Sequence, residues 1–371
     1  MIALRAIGMA AACLAASSAF ALEQGEYRFN GFGTLGMTYL GGEEDGRTYG
    51  IQGQTTDSWR GDELSKLGGQ FQYGLTDTVD VTAQVIAKAE QDSWKAKLEW
   101  LYLSHQTTDR LVLRAGRLRN PVYMYSETLD VGFTYPWIRL PDEVYHQVQI
   151  SSYEGADFIY TLPLSYGSVS FQANAGQALN RDYFFYDVMD DMDYKKIAGG
   201  SITLATNNYG SLRVSYSEAD LTLGGLLTGQ KGKFTSLGYQ YDNGTWLTAN
   251  EATRLVVEGQ FPAKDAFYLM GGRRFGALMP HLTYAQLDEQ NGGRQSSWTA
   301  GLNYSLLPNV TLKSEYKRVD TKSGGQGVFI KTGEEFYGEL EAAFIANLFG
   351  RSFAPPTFDG DIISVGVDFV F

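Results

Sequence analysis

Apolar and polar residues alternate in short runs along most of this chain. Residues 362–371, IISVGVDFVF, set Ile363, Val365, Val367, Phe369 and Phe371 on one face, and Ser364, Gly366 and Asp368 on the other. SSWTAGLNYSL sets Trp298, Ala300, Leu302, Tyr304 and Leu306 against Thr299, Gly301, Asn303 and Ser305. TVDVTAQVIAKAE sets Val79, Val81, Ala83, Val85 and Ala87 against Asp80, Thr82, Gln84 and Lys88. Val169, Phe171 and Ala173 alternate with Ser168, Ser170, Gln172 and Asn174. A period of two is the signature of β-strands with one oily and one wet face. Residues 246–257 and 267–275 alternate poorly, and bulges are expected there.

Between the runs lie two kinds of connection. Seven are tight and rich in Asn, Asp, Gly or Pro, as reversals require: 75–78, 106–109, 162–167, 207–210, 241–244, 275–280 and 306–309. Eight are longer and uneven: 41–65, 90–94, 117–150, 176–194, 219–231, 258–265, 288–295 and 321–360. Seven turns and eight loops join sixteen strands, the first near 27–40 and the last at 361–371. Short turns on one rim and longer loops on the other, around an even number of antiparallel strands, are the layout of a transmembrane β-barrel. A soluble β-sandwich is the competing architecture and gives no reason for such segregation. In lipid a spanning sheet must close on itself, because no water satisfies an open edge. The fold expected is all-β: a sixteen-stranded antiparallel transmembrane barrel forming one domain over residues 22–371.

Residues 1–21 sharpen this picture. A basic start, MIALR, precedes the apolar AIGMAAACLAA and the small-residue site Ala19-Phe20-Ala21, the pattern of a cleaved secretory signal peptide. Cys13 is the chain's one cysteine and lies inside that segment; a lipoprotein would need it as first mature residue, and Ala10-Ala11-Ala12 is a poor match upstream. No disulfide or thiolate chemistry is expected of the remainder. Removing Arg5 with the segment takes the net charge from -12 to about -13. So acidic a chain offers no basic patch for nucleic acid. No later run reaches 18 consecutive apolar residues, so a membrane helix is not expected.

These features together resemble a Gram-negative outer-membrane porin, across the whole chain after residue 21. Phe371, with Phe369 two positions before it, is similar to the terminal signal by which the outer-membrane insertion machinery recognises its clients. The resemblance implies an outer-membrane location amid lipid and lipopolysaccharide, passive diffusion of small hydrophilic solutes and ions, and a homotrimer. It also implies that the third outside loop, residues 117–150, folds inward and narrows the pore. That loop carries no PEFGG-like tip, and the second, EQDSW, is short for a trimer latch.

On this reading the wet faces line a water-filled lumen. Arg28, Lys88, Lys97, Glu99, Arg114, Arg213, Lys313, Glu315 and Lys317 fall on that phase, and the inward loop adds Arg117, Arg119, Glu127, Asp130, Arg139, Asp142 and Glu143. Basic wall residues facing acidic loop residues would make a transverse field that favours small polar solutes. On a soluble sandwich the same residues would be a solvated face. A substrate-specific channel for sugars or organic anions is the alternative, with Tyr123, Tyr125, Phe133, Tyr135 and Trp137 as an aromatic track, although such loop aromatics more often form the loop's own core.

Other motifs compete weakly. GFGTLG at 31–36 matches GxGxxG but lies inside a strand, where glycines relieve crowding rather than cradle a pyrophosphate. GQKGK at 229–233 lacks the spacing of a P-loop. DVMDDMD at 187–193 lacks the Gly and ordered spacing of a calcium loop and reads as a solvated acidic loop. Phe336, Leu340, Phe344 and Leu348 recur every four residues, a helical stripe in the last loop that would pack on the barrel mouth or gate it. An enzyme would need a base beside a nucleophile. Only His105, His146 and His281 are present and no G-x-S-x-G occurs. No catalysis, metal or cofactor is expected.

Overall fold

The structure, a computed structural model, describes residues 22–371 apart from 43–45, 51, 52, 54, 91, 92, 186, 187, 260, 261, 291, 331, 332, 352, 354 and 355. The predicted signal peptide, residues 1–21, lies outside the described residues. Sixteen strands follow one another: β1 (Tyr27–Gly41), β2 (Lys66–Thr76), β3 (Val79–Glu90), β4 (Ser93–Thr108), β5 (Leu111–Arg119), β6 (Ser152–Leu164), β7 (Gly167–Phe185) and β8 (Val188–Thr206). They continue as β9 (Gly210–Leu223), β10 (Leu227–Asp242), β11 (Trp246–Val257), β12 (Lys264–Arg273), β13 (Leu278–Glu289), β14 (Arg294–Leu307), β15 (Val310–Lys322) and β16 (Asp359–Val370). Each pairs antiparallel with its sequence neighbours, and β1 pairs with β16 to close the barrel. All seven tight turns lie where the turn residues place them.

The two faces sort as the alternation predicts. Leu35, Val85, Leu101, Leu237, Leu282 and Trp298 are exposed on the outside, while Thr34, Gln70, Thr82, Ser215, Thr299 and Ser364 are buried on the inside. Exposed rings such as Tyr27, Phe29, Tyr166, Tyr209, Trp246 and Phe371 gather toward the turn end, the position of an interfacial girdle. The GFGTLG stretch lies inside β1, and its glycines make room for the seam. A Cβ on Gly31 would stand 2.2 Å from the Phe371 ring. Gly31 and Phe371 also exchange both backbone hydrogen bonds, at 2.8 and 2.9 Å. The ring therefore closes over Gly31, and a side chain there would push the ring aside.

Three expectations need correction. First, β11 and β12 pair without a register shift, so no bulge explains their poor alternation. Their inward residues Leu247, Ala249, Ala266, Tyr268 and Met270 are apolar because a loop is packed on them from within the lumen. Second, 176–194 and 219–231 are not long loops. β7 and β8 run on as a hairpin of 19 residues each, well beyond the roughly 9–11 residues that cross a membrane. Acidic residues suggested a loop there, but Asp182 pairs with Asp191 and Tyr183 with Asp190 as ladder partners. Inward-facing Met192, Tyr194, Ile197, Leu221, Leu223 and Leu227 hold the extension together as a separate apolar cluster. Third, the helix Gly333–Leu348 forms as its stripe predicts, yet Leu340, Phe344 and Leu348 are exposed rather than packed on the mouth.

Candidate functional site: the loop inside the barrel

The 120–151 connection between β5 and β6, here termed L3, enters the lumen and is fastened to the wall nearly all the way round. Its neck is closed by Asn120 N–H donating to Ser151 O (2.9 Å) and Val148 N–H donating to the Tyr123 hydroxyl (2.8 Å). Val122, Tyr123, Tyr125, Tyr135, Trp137, Leu140, Val144 and Tyr145 then form a core with the apolar wall of β10–β13. Rings meet mostly edge to face: Tyr125 with Trp137 at 6.0 Å, Trp137 with Tyr268 at 5.3 Å, and Tyr123 with Phe234 at 5.1 Å. These aromatics are thus spent on packing, and the sugar track considered above is not formed by them. At the far end Val131 and Phe133 join Phe32 and Ile86 of β1 and β3.

Polar fastenings alternate with this core. The Glu251 carboxylate accepts from Met124 N–H (2.9 Å) and from the Tyr145 hydroxyl (2.7 Å), clasping both arms of L3. Lys313 Nζ donates to the carbonyls of Gly132, Tyr135 and Trp137 at 2.7, 2.7 and 2.9 Å and lies 2.6 Å from Asp368. L3 can press this close because residue 132 is glycine, where a Cβ would stand 2.4 Å from an Asp368 oxygen. Glu315 accepts from Ile138 N–H (2.8 Å), and Lys317 bonds Asp142 (2.9 Å) beside Glu143 (3.5 Å). Arg119 bonds Asp130 at 2.8 Å, with Lys88 3.6 Å from the same carboxylate. Arg139 bonds Glu63 of the first loop. Ser151 donates to Glu99 (2.7 Å), a residue turned inward by a bulge between β3 and β4.

Burial alone would raise the L3 carboxylates. For Asp130, Lys88 and Arg119 outweigh it and hold the carboxyl well below its usual range. For Asp142, burial is likewise outweighed by Lys317 and Arg139. His146, half-buried in the returning arm, moves the other way: desolvation lowers it to about 4, so it is neutral at pH 7.

The predicted site residues therefore separate into groups. Lys88, Arg119, Asp130, Arg139, Lys313, Glu315 and Lys317 are brought together, but as direct loop-to-wall fastenings rather than across water. Arg114 is buried against Asp157 (2.5 Å) and lies 3.7 Å from Glu127, which is 38% exposed. Arg213, on the neighbouring wall, donates to Pro121 O at 2.9 Å. Lys97 sits higher, between Glu90 and Asp182 at 2.7 Å each. Arg28 is exposed near the turn end. Arg117 stands on the outward phase of β5, paired with Glu154, and is set apart from the lumen group. Asp157, Glu251 and Asp368 escaped the candidate set. Asp157 and Asp368 lie on the inward phase of their strands, so the phase was the available signal. For Glu251 it was hidden by the apolar neighbours that L3 covers.

Among the described residues no three His, Cys, Asp or Glu side chains are arranged to hold a metal. His105 is exposed near a turn, His146 is in L3, and His281 lies on β13, 3.9 Å from Glu315.

The family description "Gram-negative porin" matches residues 8–324. The chain belongs to the Gram-negative porin family. Solved structures share the fold at low identity. The anion-selective porin of Comamonas acidovorans is 14% identical, with TM-score 0.59 over 94% of this chain and 100% of that one. Salmonella typhi OmpF, solved with daunomycin, is 13% identical, with TM-score 0.58 over 94% and 98%. Vibrio cholerae OmpT in a trimer form is 11% identical, with TM-score 0.54 over 94% and 100%. A search of curated proteins returns no match. This porin is an outer-membrane channel for passive diffusion, and L3 lies inside its lumen.

Proposed function

We propose that small hydrophilic solutes and ions pass this porin on the wetter side of L3, along the half-exposed Glu127 carboxylate and Arg213 on β9, and that Glu127 and Arg213 set the ion preference while the buried Arg114 anchors Glu127. The observation that supports it is the half-exposed Glu127 carboxylate 3.7 Å from Arg114, while the charges elsewhere on L3 are bound in fastenings. An acid and a base on the walls of a narrow wet passage orient dipolar solutes and disfavour bulky apolar ones. In planar bilayers under a salt gradient, Arg213→Glu should move the reversal potential toward cation preference and Glu127→Gln toward anion preference. Unmoved potentials in both variants would remove them from the passage.

We infer the rest of the reading from the porin family to which the chain belongs. The porin works as a channel rather than a catalyst. Lipid and lipopolysaccharide surround its outward apolar band, residues 1–21 direct export and are cleaved, and Phe369 and Phe371 address the insertion machinery. A homotrimer is the assembly we infer, supported by the trimer form of the V. cholerae protein. Conductance rising in steps of three would report it.

A further inference from the structure

Above L3 the barrel wall does not look like a water channel. The extended β7–β10 hairpins, the upper ends of β11–β13, residues 324–330 and the returning arm of L3 line an open cavity of about 450 Å³. Its walls include Phe184, Met192, Tyr194, Leu221, Leu223 and Phe234, all less than a tenth exposed. A solvated vestibule gains nothing from such a lining, and the volume lies within the range of small-molecule sites.

The polar part of the lining narrows the chemistry. Two lysines line the cavity, and both are paired: Lys233 with Glu258 at 2.9 Å and Lys264 with Glu289 at 3.0 Å. A carboxylate entering here meets no free cation among the described lining residues. At the floor, Asn120 Oδ1, Gln147 Oε1 and His146 Nδ1 are buried without a hydrogen-bond partner, and Asn120 is only 4% exposed. The two amide oxygens only accept, so they call for a donor. Buried acceptors of this kind are satisfied by protein, water or ligand.

We propose that this upper cavity is a binding site for uncharged, hydroxylated compounds with an apolar ring body, seated above L3 on the route into the pore. The rings lie against Met192, Leu221 and Phe234. The hydroxyl donates to Gln147 or Asn120 after a small side-chain turn. Such a site raises the local concentration of a solute class that a plain charged passage would exclude.

The test uses purified, folded protein in planar bilayers, with probes added from the loop side and titrated by current blockade. 2-Naphthol carries both ring body and hydroxyl, 2-naphthoate replaces the hydroxyl by a carboxylate, and glycerol lacks the ring. 2-Naphthol should block saturably, at a concentration at least tenfold below 2-naphthoate, with glycerol silent. Ala219→Trp fills the cavity from a partly buried lining position away from L3, and should weaken the 2-naphthol block at least tenfold while unblocked conductance persists. Gln147→Leu should weaken it severalfold and leave the weak naphthoate response unchanged. Equal blockade by naphthol and naphthoate, no saturable blockade, or an unchanged response in folded Ala219→Trp would overturn the proposal.

Discussion

Replacing Lys313 by Met keeps the length of the side chain and removes its charge. In the native porin the ammonium donates to three L3 carbonyls at 2.7–2.9 Å, and among the described residues no other side chain donates to all three. Hydrogen bonds to a charged group contribute about 1.5–3 kcal/mol each, and three independent ones would sum to about 4–9 kcal/mol. The three bonds share one ammonium and are not additive, which leaves about 2–5 kcal/mol of L3 docking. At 1.4 kcal/mol per factor of ten, that favours the undocked loop by roughly 30- to 4000-fold relative to the parent. L3 should therefore leave the wall between Gly132 and Trp137 for a measurable fraction of the time. Single-channel recordings of Lys313→Met should show higher and noisier conductance, and chymotrypsin should cut at the exposed Phe133–Trp137 rings. The substitution also strands the Asp368 carboxylate, which is 2% exposed and bonds Thr34 at 2.5 Å. Lys313→Met with Asp368→Asn should restore barrel stability to denaturant yet keep the noisy channel, separating wall from loop. Quiet parental conductance with a protease-resistant L3 in folded Lys313→Met would refute the reasoning.

Further outcomes follow from the same geometry. Gly31→Val pushes the Phe371 ring off the seam, so the folded, heat-modifiable band on gels should melt at a lower temperature. Adding Phe371→Ala to that variant should recover part of the loss, and no recovery would show that the seam is not the cause. His146 binds a proton only near pH 4 in folded L3 but near 6.5 when exposed, because burial lowers it. Its neutral burial thus supports the loop fully above pH 6.5, and that support declines as pH falls through the window toward 4, by up to about 3 kcal/mol. Channel noise or L3 proteolysis should rise between pH 6.5 and 4, and His146→Gln should flatten the rise.

Much of this architecture is legible in the chain because lipid and water impose a period of two on both faces. Ile363 to Phe371, Trp298 to Leu306 and Val79 to Ala87 all point as their alternation says. The tight turns carry Asn, Asp, Gly and Pro for steric reasons that are local, so they too can be read. What fails is any segment whose face meets something other than lipid or water. Leu247, Ala249 and Tyr268 look out of phase because the solvent on their inner side is L3, a partner more than a hundred residues away. Asp182, Asp190 and Asp191 look like loop because their strand rises out of the membrane, where the lipid rule stops applying. Alternation places Arg114, Lys313, Glu315 and Lys317 on the inner face, where they are buried, but does not give their partners. Phase cannot say whether Lys313 faces water or three carbonyls.

The central claim is that water and solutes pass through this barrel beside a docked loop. Purified protein, checked as folded, should be added to a planar bilayer while conductance is recorded with polymers of graded size. Discrete ohmic steps, reduced by small polymers and indifferent to large ones, are the predicted result. A membrane that takes up folded protein and stays at its baseline conductance would contradict it.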